Sequence, residues 1–115
     1  MPQRLDTEAL KARFQDKPEL LEKLYHEFSR HIDGALPEMR AAFEIGDLKR
    51  LEDMAHSLKG NAALIGAALV SELALGVQQA SGAGDTEVLA SSLPELFNEA
   101  QASLEELKRF VMDLA

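Results

Sequence analysis

Apolar residues recur at three- and four-residue spacing along the whole chain, and no stretch alternates apolar with polar as a strand would. That pattern restricts the fold to packed helices, because each stripe is one helix face that another element must cover. A short first helix is expected from about Asp6, placed to cap it, to Phe14. Asp16-Lys17-Pro18-Glu19 then resembles a capping box, with acid at N-cap and N3 and proline in the first turn. The second helix carries a stripe of Leu21, Leu24, Phe28, Ile32, Ala35, Met39 and Phe43. Pro37 lies inside it and predicts either a kink near Asp33, whose carbonyl loses its donor, or two shorter helices.

Gly46-Asp47 pairs a closing glycine with an N-cap aspartate, so one helix ends there and the next begins. The third helix shows Leu48, Leu51, Ala55, Leu58, Ala62 and Ile65, and Gly66 breaks it from a fourth. That fourth helix has a stripe of Leu69, Leu73, Val77 and Ala80, and the turn chemistry of Ser81-Gly82-Ala83-Gly84-Asp85 closes it. The last helix carries Leu89, Leu93, Leu96, Ala100, Leu104, Leu107 and Val111. It starts either ahead of Leu89 or near Ser92, where Pro94 and Glu95 offer a second N-terminus. Four amphipathic helices with short connections pack most simply as an all-α antiparallel four-helix bundle, with the short N-terminal helix covering one end. No linker divides the chain, which reads as a single domain over residues 1–115.

Composition narrows the function. The net charge of −8 argues against a phosphate-backbone ligand, which needs a cationic footprint, so no nucleic acid is expected. There is no cysteine, hence neither a disulfide framework nor a thiol site. The longest apolar run, Ala62 to Val70, is interrupted by Gly66 and far too short for a bilayer, and no signal segment opens the chain. A cytoplasmic protein without a membrane partner is the expectation.

The third helix holds the one constellation that asks for chemistry, His56-Ser57-Leu58-Lys59-Gly60. A helix-interior glycine costs about 1 kcal/mol against alanine, and one set four residues after a histidine leaves the space beside the ring empty. At about 100° per residue His56 lies roughly 130° from the centre of the apolar stripe, on the outer face. Its neighbours there are Lys49, Glu52, Asp53, Lys59, Gly60 and Ala63, charged before the histidine and small after it. If the chain reverses at Gly66, Gln78, twelve residues after it, comes level with His56, ten residues before it. A glutamine amide there can accept from one imidazole nitrogen and leave the other's lone pair outward, as a nucleophilic histidine requires. Lys59 would offset charge on an attached phosphoryl group.

Each of these residues also has a plain structural explanation. A lone histidine on an outer helix face is usually a solvated side chain, Lys59 a solvated lysine, Gly60 a site of close packing and Gly66 a helix break. His26 and His31 are five apart, diverge by about 140° on a helix and cannot share a metal in the i,i+4 manner, so both are read as structural. The acids are scattered over outer faces, and the methionines and phenylalanines sit mostly at stripe spacing and read as core.

His56-Ser57-Leu58-Lys59-Gly60, followed by Gly66-Ala67, resembles the H-x-L-K-G-x5-G-A signature of histidine-containing phosphotransfer domains, and the likeness runs from Leu5-Asp6 to the last helix. Asn61, in place of a more usual small residue, and Gly76 inside the fourth helix depart from common members. The resemblance implies a bundle with one exposed histidine that takes phosphate from a receiver-domain aspartyl phosphate and passes it to another response-regulator receiver. By residue it implies phosphorylation on His56, charge balance from Lys59, close approach at Gly60, with Ala63 beside it, and ring orientation by Gln78. The implied partners are response-regulator receiver domains and a histidine kinase, hybrid or not. The protein would act as a monomer without a cofactor of its own, magnesium being supplied by the receiver. No glycine-rich phosphate loop is present, so a phosphocarrier is expected and not a self-phosphorylating kinase. The competing functions are a bundle that docks a receiver or kinase without carrying phosphate, and the phosphorylated domain of a chemotaxis-type kinase.

Overall fold

The computed structural model describes residues 4–114, which form five helices and no strand. These are α1 (Thr7–Phe14), α2 (Pro18–Glu44), α3 (Leu48–Leu64), α4 (Ala68–Ala83) and α5 (Thr86–Leu114). The last four make an antiparallel bundle in which α2 meets α3 and α5, and α4 meets α3 and α5, with no close approach across either diagonal. At 1.5 Å per residue α5 should be about 44 Å long, and the long axis of the molecule is 44 Å.

Three junctions share one construction. Gly46, Gly66 and Gly84 all have φ near +70° to +77°, and the residue after each donates to a carbonyl five positions back: Asp47 to Ala42, Ala67 to Ala62 and Asp85 to Ala80, each at 2.9 Å. This is the left-handed glycine closure that satisfies the last helical carbonyls. Asp47 then caps α3 through the Arg50 amide, and Asp85 caps α5 through the Val88 amide. Ala67 can offer no such side chain, and α1 compensates at that junction. The Asp6 amide donates to the Gly66 carbonyl at 2.9 Å, Arg13 donates to the Leu64 carbonyl at 3.1 Å, and Leu10 packs on Gly66. The short first helix therefore covers the α3–α4 end, as expected.

Pro37 sits within an unbroken α2 and Pro94 within an unbroken α5, so of the alternatives the single long helix holds in both places. Asp85, and not Ser92, starts α5. The expected capping box at Asp16 does not form: the N-cap is Lys17, with no side-chain bond, and its amide closes a turn onto Phe14 instead. The residue before a proline is kept out of the helical region, so Lys17, with φ −138° and ψ 56°, takes the N-cap place and leaves Asp16 one residue too early.

The core contains Leu21, Phe28, Ile32 and Met39 of α2, Leu51, Ala55, Leu58 and Ala62 of α3, and Leu89, Leu93, Leu96, Ala100, Leu107 and Val111 of α5. The stripe on α4 is displaced from the expected one. Val70, Ala74, Val77, Ala80 and Ser81 are buried, whereas Leu69 and Leu73 lie at the flank. This helix is apolar almost all round, so the wheel alone does not choose its inner face. Small residues do, because they let α4 come close to Ala55 and Ala62 of α3.

Candidate functional site

His56 lies in the middle of α3 and is exposed, with the buried pair Ala55 and Leu58 turned inward beside it. Helix periodicity explains the split, since positions 51, 55, 58 and 62 form the inner face and 56, 60 and 63 its opposite. Gly60 is exposed, and a Cβ built on it would meet nothing within 4 Å. It fills no packing role, so the structural explanation of this glycine is excluded. Ala63, exposed one turn further, extends the same bare strip.

Lys59 is half-buried and, among the described residues, forms no salt bridge, so its ammonium is uncommitted. Its backbone is fixed across the helix pair: the Ser71 hydroxyl of α4 donates to the Lys59 carbonyl at 3.0 Å. Further along, the Glu52 carboxylate lies against Gly82, in the space a Cβ there would take. These two contacts mark the antiparallel register of α3 against α4. The expected hydrogen bond is not made, however. The Gln78 side-chain oxygen is buried and has no partner, so it accepts nothing from the imidazole.

Charge on the N-terminal side of the histidine is organised by Lys49. Its Nζ stands 3.2 Å from Glu52 Oε1 and 3.2 Å from Asp53 Oδ1. Hydrogen bonding to Glu52, then to Asp53, raises Lys49 above the ordinary lysine value. The sequence reading placed these residues on the histidine's face without joining them, although the i+3 and i+4 spacing carried the signal. On the α2 side, His31 and Asn61 are 3.3 Å apart and bridge the two helices over a hollow of about 250 Å³ lined by Leu24, Phe28 and Ile65. His26 is exposed and lies 3.8 Å from Glu22.

A helix-borne, exposed histidine followed by a half-buried lysine and an unpacked glycine is the geometry that the resemblance requires. A family model described as the Hpt domain matches residues 14–110. The chain belongs to the Hpt domain family. The match covers α2, α3, α4 and nearly all of α5, and so includes His56 and every residue described around it. Comparison with curated proteins and with solved structures gave no significant match. Membership implies a part in a phosphorelay as a histidine phosphotransfer domain. Among the described residues of this Hpt domain, no helix is long and apolar enough to cross a membrane.

Proposed function

We propose that this Hpt domain is a phosphorelay intermediate, phosphorylated on His56 by the aspartyl phosphate of one response-regulator receiver and discharged to the aspartate of another. The observation that carries the reading is an exposed imidazole with empty space at Gly60, four residues on. A second protein must bring its phosphoryl group within bonding distance of the ring, and bare helix backbone beside the ring admits it.

In the forward step the lone pair of His56 Nε2 attacks phosphorus in line. The bond from phosphorus to the aspartyl oxygen breaks, and the carboxylate leaves with the electron pair. The ring, now carrying phosphate on Nε2, loses its Nδ1 proton to water. The uncommitted Lys59 ammonium faces the incoming oxygens. Phosphoryl transfer depends chiefly on positioning and charge, so a nucleophile held on a rigid helix is the domain's main contribution. In this reading magnesium and the remaining charge stabilisation come with the receiver. The whole chain acts as one cytoplasmic, monomeric domain, and a hybrid histidine kinase supplies the first phosphate.

Incubation with a phosphorylated receiver tests the reading. An acid-labile, base-stable label lost in His56→Gln is expected. No label, or a label that survives the substitution, would leave a docking bundle that carries no phosphate.

A further inference from the structure

We propose that Lys49 is a positioning residue for phosphate transfer: by bridging the Glu52 and Asp53 carboxylates it halves the negative charge on the flank of His56 that the phosphoryl group must approach. The inference deepens the reading of His56 as the phosphate acceptor and rests on it.

Glu52 and Asp53 precede His56 by four and three residues, about 6 and 4.5 Å along the helix axis. On the wheel they flank the ring by about 40° and 60° on opposite sides, and Lys49 lies between them at about 20°. Along the axis both offsets are within the screening length of about 8 Å, so the carboxylates repel an arriving dianion. Lys49 reaches both at 3.2 Å. Glu52 is held there from the other side, because its carboxylate rests against the bare backbone of Gly82.

Among the described residues no other cation pairs with Glu52 or Asp53. Arg50 turns to α2, where it meets Glu38 at 3.5 Å. Helix α4 carries one charged residue, Glu72, and Lys59 stands on the far side of His56. Stability does not account for the arrangement either. Lys49 is largely exposed, and exposed ion pairs contribute little to folding. What a surface cation can change is the local field and hence the rate at which a charged partner engages.

The test compares the wild-type chain, Lys49→Ala, Lys49→Arg and the triple variant Lys49→Ala/Glu52→Gln/Asp53→Asn, all checked for unchanged helical content and melting. Lys49→Ala should slow transfer from a phosphorylated receiver about three- to tenfold at low salt, with the gap closing at about 500 mM salt. Lys49→Arg should transfer normally, and the triple variant should recover to within about twofold of wild type. Wild-type speed in Lys49→Ala at low salt, or a triple variant as slow as Lys49→Ala, would overturn the inference. If the receiver fails to label even the wild type, the acceptor reading falls on its own, and phosphoramidate serves as a small anionic donor in its place. Faster labelling of wild type than of Lys49→Ala by that donor supports the role of Lys49. Equal labelling, or none, refutes it.

Discussion

Ser71 donates its hydroxyl to the carbonyl of Lys59 at 3.0 Å, a contact between α4 and the residue three beyond the histidine. It ties the first turns of α4 to the second half of α3, and the register of the functional face follows from it. The carbonyl keeps its helical partner when the hydroxyl is removed. Ser71→Ala should therefore cost no more than about 0.5–1.5 kcal/mol in a denaturant titration. A larger loss would mean that the contact carries more of the hairpin than its geometry suggests.

His56→Gln should abolish phosphate uptake and leave stability within about 0.5 kcal/mol of wild type, because the ring is exposed and outside the core. Labelling and thermal melting, run on the same preparation, separate the two effects.

At Gly60 function and stability should move in opposite directions. Alanine adds helix propensity into open space and should stabilise by up to about 1 kcal/mol. Leucine should fold equally well and yet slow transfer, since its side chain would stand where the receiver docks. Transfer at the normal rate by Gly60→Leu would sink the close-approach argument.

Leu58, two residues from the histidine, is fully buried. Leu58→Ala should lose about 2–5 kcal/mol, as large-to-small changes in a packed core do, and chemical denaturation measures it directly.

Two further glycines should respond with opposite signs. Gly34 lies inside α2 with nothing within 4 Å of a built Cβ, so Gly34→Ala should stabilise by about 0.5–1 kcal/mol. Gly66 has φ +75° and would place a Cβ 3.1 Å from Leu10. Gly66→Ala should cost at least about 1–2 kcal/mol from the left-handed backbone alone. Melting curves of the two variants, side by side, check the contrast.

The elements were legible because their signals are local. Asp6 and Asp47 stand where caps belong, Gly46 and Gly66 where helices close, and the α2, α3 and α5 stripes repeat on one face. Legibility failed where two local signals competed or where none existed. Asp16 lost the cap to Lys17 because the residue before a proline is kept out of the helical region, and the wheel of α4 went astray because its leucines stand at the flank while valine, alanine and serine fill the inner face. Counting from Gly66 gave Gln78 a level along α4 but not a partner: its oxygen is buried and unpaired, and side-chain rotamers are something no count supplies.

By itself the sequence determined that four amphipathic helices must pack, that His56 faces away from their seam, and that a lysine and a glycine follow it at the spacing of a phosphotransfer site. Helical period and backbone propensity are properties of neighbours in the chain, so they can be read without coordinates. The tertiary structure alone decided that Gly60 opens onto empty space, that among the described residues Lys59 meets no acid while Lys49 holds two, and that Glu52 leans on Gly82. Those facts depend on where α4 lies against α3, and that distance is set by small side chains meeting across the interface, not by the order of residues along either helix.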